Sequence, residues 1–202
     1  PWLDSGTATV IGGLIGLLVL GAQRHPRLRE GFEALAGLLA GTVAILVSIF
    51  IGQLNLNTVM IASLIVLLPG MSLALATNEL ASRHLVSGTA RFAGALMTVV
   101  NLTIGTAIAL TCAQLLGIEP HVRAWRPQPD WVVWGAVAVA AYAFAVLFQA
   151  HRRDYGLVMA AAISGYLISR YGGEWLDAQA GVFLAALATT AAGNAYARWA
   201  NR

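Results

Sequence analysis

Long runs of uncharged, mostly apolar residues are the dominant pattern along this chain. One helix needs about 20 such residues to cross the hydrocarbon core of a bilayer. The runs are continuous, whereas the strands of a membrane barrel alternate apolar and polar positions. The longest run, residues 34–78, is long enough for two crossings, with a polar break at residues 53–57. The pattern predicts seven membrane helices, at residues 6–22, 33–52, 57–76, 92–116, 131–149, 155–170 and 177–198.

The composition supports a membrane protein. Of the 202 residues, 58% are hydrophobic and 10% are charged, whereas an average soluble domain has about 25% charged residues. A soluble chain of this length exposes too much surface to hide so many apolar side chains. The net charge of +3 is small and scattered, so it indicates no nucleic-acid partner. The composition excludes a disordered segment and an ordinary soluble enzyme, and it favours an all-α, polytopic helix bundle in contact with lipid.

The arginines predict how the helices are oriented. They are concentrated after the first, third and fifth predicted helices, at residues 24–29, 83–91 and 152–153, and the connections between these are neutral or balanced. Cytoplasmic loops of membrane proteins carry the excess of basic residues. The rule predicts Pro1 outside and Arg202 in the cytoplasm. Most tryptophans then lie at the outer boundary, where amphipathic rings are favoured.

Two pairs of glycines predict close helix contacts. Lipid gives no hydrophobic drive for helices to associate, so small residues that permit close approach mark their interfaces. Gly12 and Gly16 are one turn apart on the first predicted helix, and Gly37 and Gly41 are one turn apart on the second. We expect both pairs at helix–helix contacts.

Few residues offer catalytic or cofactor chemistry. Cys112 is the single cysteine, and the four histidines lie in connections without metal-ligand spacing. The chain has no lysine, which excludes a Schiff base, and its predicted helices contain no pair of acids. We expect no catalytic residue, no metal site and no cofactor, and a protein that is not an enzyme.

The third predicted helix carries the main functional signal, a Pro69-Gly70 pair inside an apolar run. Proline lacks the N–H of the helix ladder and frees the carbonyl four residues earlier, here that of Ile65. Free backbone groups at membrane depth are tolerated only where protein or a water-filled cavity satisfies them. Broken helices of this kind form substrate sites in secondary transporters. The alternative is a purely structural kink.

Polar residues around this break are candidates for the same site. Glu79 either forms a surface ion pair or lines a cytoplasmic vestibule, where it binds a substrate ammonium or carries a coupling proton. Arg91 either pairs with Glu79, attracts a carboxylate or reaches to the interface. Asn101 lies about 15 Å further along the helix, at the depth of the break. The candidate substrate-binding residues are Pro69, Gly70, Ser72, Asn78, Glu79, Arg91 and Asn101.

Several motifs resemble the bacterial threonine/serine exporter family. They are Leu67-Leu68-Pro69-Gly70, Asn78-Glu79-Leu80, Ser87-Gly88-Thr89-Ala90-Arg91, and Phe144–Phe148 followed by Arg152-Arg153. The resemblance implies an exporter driven by the proton gradient, with ten helices in two inverted five-helix halves after a soluble N-terminal domain. It implies that residues 1–116 hold the second to fifth helices of the first half, 117–130 an external linker, and 131–202 the first three helices of the second half. The chain is then part of a longer protein.

The prediction is a secondary active exporter, a proton antiporter for threonine and serine in the bacterial inner membrane, with Glu79 as the proton-coupling residue. Its partners are the amino acid and the lipid bilayer, with no nucleic acid, and a homo-oligomer is compatible with the sequence. Two alternatives stay open. One is a dicarboxylate exporter of the same fold, of the succinate type, and the other is a non-transporting membrane scaffold or sensor.

Overall fold

A computed structural model of the chain describes residues 2–119, 121 and 129–200, and it is all-helical over them, as predicted. Short 3₁₀ turns at Ile65–Leu67 and Arg152–Asp154 interrupt the α-helices. The α-helices in the described part of the chain are α1 Trp2–Arg24, α2 Pro26–Glu30, α3 Phe32–Phe50, α4 Leu56–Leu64, α5 Gly70–Ala81, α6 Leu85–Leu115, α7 Asp130–Leu147, α8 Tyr155–Trp175 and α9 Ala178–Trp199.

Every predicted membrane segment coincides with helix. Over the described ranges, α1, α3, α6, α7 and α9 are each long and apolar enough to cross a bilayer, and α4 with α5 forms a bent sixth span if counted as one. The remaining segment, α8, is 21 residues long but is not among these candidate spans. The structure confirms a polytopic membrane helix bundle. The inverted repeat stays a prediction.

The chain divides into two compact units, Pro1–Arg126 and Pro127–Arg202. In the first unit, α3 packs against α1, α4 and α6. Ala36, Ala40 and Ala44 are fully buried and recur every four residues, so they form one flat face of α3. Small side chains on this face let the neighbouring helices approach closely.

The α3–α6 contact is close enough to require glycine. A Cβ on Gly37 would overlap the Leu102 carbonyl of α6, and a Cβ on Gly105 would overlap the Ala34 carbonyl of α3. A Cβ on Gly41 would also lie 2.6 Å from the Cβ of Ala109. The predicted contact at Gly37 and Gly41 is therefore confirmed.

The glycines of α1 behave differently. A Cβ added to Gly12 or Gly16 would have no described atom within 4 Å. The buried residues of α1 include Thr7, Ile11 and Ile15, spaced one turn apart. The expectation for Gly12 and Gly16 is wrong within the described residues, because α1 packs through this other face.

In the second unit, α8 packs against both α7 and α9. A Cβ on Gly181 of α9 would overlap the Ser169 carbonyl of α8 and would lie 2.5 Å from the Gly173 nitrogen. The α8–α9 pair is thus a tight hairpin that uses glycine at its contact. No described residue of α8 is fully buried.

Candidate functional site

The third predicted membrane helix is broken at the expected position. Helix α4 gives way to the 3₁₀ turn Ile65–Leu67, Leu68 is extended (φ −66°, ψ 128°), and Pro69 is the N-cap of α5. The axes of the two helical segments differ by 61°. The cause is Pro69, which cannot donate a helix hydrogen bond and which disfavours helical backbone in the residue before it.

The break leaves backbone donors free at the start of α5. The Gly70 N–H donates to the Leu68 carbonyl at 2.8 Å, and the Leu73 N–H donates to the Pro69 carbonyl at 2.9 Å. The N–H groups of Met71 and Ser72 have no hydrogen-bond partner within the described chain. Because the positive end of the helix dipole lies here, these donors suit an anionic group.

Free carbonyls lie on the other side of the break. The expectation that the Ile65 carbonyl is free is wrong, since it accepts from the Leu68 N–H at 3.3 Å. The 3₁₀ turn forms this shorter hydrogen bond in place of the one that Pro69 cannot make. The carbonyls of Val66 and Leu67 accept no hydrogen bond from described residues beyond the turn. They are the acceptors available to a cation.

An open groove of about 320 Å³ lies between α4, the break and α6. Leu68, immediately before Pro69, lines one part of the groove and connects it with the break. Most of the remaining lining is apolar. The apolar residues are Met60, Ile61, Leu64, Val99 and Leu102, and the polar residues are Asn57, Thr103 and Thr106.

Sequence reasoning missed these polar lining residues. The Thr103 hydroxyl donates to the Val99 carbonyl at 2.8 Å, and the Thr106 hydroxyl donates to the Thr103 carbonyl at 2.9 Å. The Asn57 amide is exposed and makes no hydrogen bond with a described residue. The spacing of Val99, Thr103 and Thr106 is a sequence signal for one helix face, but their position opposite α4 is visible only in the structure.

Asn101 lies at the level of the groove but not in its lining. It is half-buried on α6, next to Leu102, whose side chain does line the groove. Its side-chain amide makes no hydrogen bond with a described residue. Its predicted depth near the break therefore agrees with the fold, and a role in substrate binding stays a prediction.

Glu79 and Arg91 form an ion pair between α5 and α6. Oε1 of Glu79 accepts a hydrogen bond from Nε of Arg91 at 3.1 Å and lies 3.1 Å from Nη2. The helices approach closely beside the pair, since a Cβ on Gly88 would lie 2.8 Å from the Leu80 side chain. The pairing considered from the sequence is confirmed. Whether either residue binds substrate is untested.

The predicted site residues fall into two groups along α5. Pro69, Gly70 and Ser72 lie together at the break, and Ser72 is half-buried in the first turn of α5. Glu79 lies about 13 Å further along this helix, with the exposed Asn78 beside it. The break and the ion pair are therefore separate places, one within the apolar region and one at the end of the helix.

The connection between α3 and α4 is held from two sides. The Asn55 N–H donates to Oδ1 of Asp4 in α1 at 3.2 Å, and the Leu54 N–H donates to the His121 carbonyl at 3.1 Å. Leu54 is fully buried, and the Asn55 side chain caps α4 by accepting from the Thr58 N–H at 3.2 Å. These contacts fix the start of α4 and hence the Asn57 end of the groove.

A second cluster of charges lies in the other unit, where Arg170 is 3.6 Å from Asp130 and 3.7 Å from Glu174. Within residues 2–119, 121 and 129–200, no group of three or more His, Cys, Asp or Glu residues is placed to hold a metal ion. Cys112 is exposed on α6 as a free thiol. A second cavity, of about 360 Å³, lies at the end of α1 beside Leu20, Gly21, Gln23 and Arg24, away from the break.

A polytopic helix bundle with one helix broken inside its apolar region is an architecture found in secondary transporters. Residues 1–113, more than half of the chain, match the family described as "Putative threonine/serine exporter". The chain belongs to this threonine/serine exporter family, which confirms the resemblance seen in the motifs between Leu67 and Arg91. Comparison with curated proteins and with solved structures gives no match. The family places the chain among multi-pass membrane transporters, which are not enzymes.

Proposed function

We propose that this protein is a proton-coupled exporter of threonine and serine and that its substrate binds beside the Pro69–Gly70 break. The observation that carries the proposal is the 61° bend between α4 and α5. The bend leaves unpaired backbone groups next to an open groove. Membership of the threonine/serine exporter family supports the choice of substrate.

The substrate is a zwitterion, and the break offers a partner for each of its charges. The carboxylate accepts hydrogen bonds from the N–H groups of Met71 and Ser72, where the α5 dipole favours negative charge. The ammonium donates to the carbonyls of Val66 and Leu67 at the end of the 3₁₀ turn. Backbone groups serve this purpose in other discontinuous transporter helices.

In this proposal, the ion pair of Glu79 and Arg91 acts as the cytoplasmic gate. Each side chain neutralises the other, so neither offers an uncompensated charge to the substrate. A proton on Glu79 abolishes the ion pair and frees Arg91, because a neutral carboxyl has little attraction for a guanidinium. Asn78 and Asn101 line the route between gate and groove. The protein lies in the bacterial inner membrane, with Pro1 outside and Arg202 in the cytoplasm.

The experiment is efflux of labelled threonine from cells that express the full-length protein. Pro69→Ala restores the missing helix donor and straightens the helix, so we expect at least a tenfold loss of efflux at unchanged membrane level. Pro129→Ala is the control, because Pro129 caps the start of α7 and interrupts no helix. Normal efflux by Pro69→Ala contradicts the proposal. If succinate competes for efflux and serine does not, the assignment of threonine and serine as substrates is wrong.

A further inference from the structure

The groove presents two kinds of surface. Met60, Leu64 and Leu102 are largely buried in the core of the first unit and give it an apolar floor. The threonines of α6 and Asn57 of α4 give it polar sides. No charged side chain lines it. An uncharged group with both polar and apolar parts fits such a surface, because a buried ion needs a charged or strongly hydrogen-bonding partner.

The hydrogen bonds of the two threonines decide what kind of polar group fits. Thr103 and Thr106 each donate their hydroxyl hydrogen to a backbone carbonyl of α6. Each oxygen is left to act as an acceptor, so the ligand must supply a donor. The matching ligand group is an uncharged hydrogen-bond donor, such as an aliphatic hydroxyl.

The groove also adjoins the place where the charged end of the substrate is proposed to bind. Leu68 lines the groove, and the next residue is Pro69 of the break. An amino acid whose carboxylate and ammonium lie at the break can therefore extend its side chain into the groove. A methyl group beside the hydroxyl then contacts Leu102.

We propose that Thr103 and Thr106 are the specificity-determining residues that select the substrate hydroxyl. The inference rests on the proposed function, because it assigns the side-chain part of the same substrate site. A site built to hydrogen-bond a hydroxyl rejects the analogue that lacks it, because its own polar groups are then left unpaired. The wild-type protein therefore exports threonine in preference to 2-aminobutyrate, which has the same carbon chain without the hydroxyl.

The test measures efflux of labelled threonine and of labelled 2-aminobutyrate by the full-length protein. Thr106→Val keeps the shape and removes the hydroxyl, so we expect the threonine preference to fall at least tenfold while 2-aminobutyrate efflux persists. Thr103→Val lowers the preference in the same direction. Thr106→Ser restores the hydroxyl and retains the preference. Thr98→Val is the matched control on α6, outside the groove lining.

The outcomes separate this inference from the proposed function. If Thr106→Val and Thr103→Val export threonine with unchanged preference, the threonines do not select the hydroxyl and the inference is overturned, while threonine export stands. If the wild-type protein exports both amino acids equally, the inference is likewise overturned. If it exports neither, the proposed function is overturned, and the inference is overturned with it. Loss of the preference in Thr106→Ser also contradicts the assignment, because the hydroxyl is still present.

Discussion

At the scale of single residues, the candidate site combines backbone groups with a few polar side chains. The donors of Met71 and Ser72 are free because of Pro69, and no side chain replaces them within the described chain. Glu79 and Arg91 are partly exposed, with side chains 25% and 45% accessible, and exposed ion pairs add little to stability. We propose that the role of this pair lies in its sensitivity to protonation and not in stability.

Glu79→Gln is the substitution that isolates this sensitivity. The amide keeps the size and the acceptor oxygen but cannot ionise, so the gate no longer responds to protons. We expect normal membrane levels and an efflux rate that no longer rises when the external medium is acidified. The measurement is threonine efflux with and without an imposed proton gradient.

Glu33→Gln is the matched control, since Glu33 is an acid in the first turn of α3 without a described ion pair. It should respond to the gradient as the wild type does. If Glu79→Gln keeps the full response, Glu79 is not the coupling residue.

At the scale of helices, the sequence predicts the helices and the position of the break, although α8 is not among the candidate spans. The apolar runs and Pro69 are local signals, so neither needs knowledge of the packing. The groove is different, because it depends on how α6 is rotated against α4. Gly37 packs against the Leu102 carbonyl and Gly105 packs against the Ala34 carbonyl, and these contacts fix the rotation of α6. Leu102 is also a groove residue. The lining threonines therefore could not be chosen from the sequence alone.

The Gly105 contact gives a prediction at this scale. Gly105→Ala places a Cβ against the Ala34 carbonyl, where there is no room, so α3 and α6 must separate. Overpacking of this kind costs about 1–3 kcal/mol. We expect a lower thermal unfolding midpoint in detergent and weaker threonine binding.

Gly94→Ala is the control on the same helix, since its added Cβ meets no described atom within 4 Å. It should unfold at or above the wild-type temperature, because alanine favours helix more than glycine does. Equal midpoints for Gly105→Ala and Gly94→Ala would show that the α3–α6 contact is not tight.

At the scale of the whole molecule, the family match covers α1 to α5 and most of α6, all in the first unit. The unit of α7, α8 and α9 lies beyond it. The assignment of residues 1–116, 117–130 and 131–202 to a half, a linker and the start of a second half stays a prediction. The motif of Phe144–Phe148 and Arg152-Arg153 lies outside the family match, and the positions of the arginines indicate orientation but not an inverted repeat.

The orientation can be tested directly by labelling cysteines in intact cells. In a Cys112→Ala background, we expect a membrane-impermeant thiol reagent to label Glu119→Cys, since the region after α6 is predicted outside. Arg29→Cys, in α2, should react only after the cells are permeabilised. The opposite pattern would place Pro1 in the cytoplasm.

The central claim is that the free backbone at the start of α5 binds the substrate, and it is tested most directly by threonine binding to the purified full-length protein. Met71→Pro removes the Met71 N–H at a first-turn position where proline is tolerated, and Met71→Leu keeps it. The account predicts at least a tenfold weaker affinity for Met71→Pro and wild-type affinity for Met71→Leu. Equal threonine affinity for both variants would contradict it.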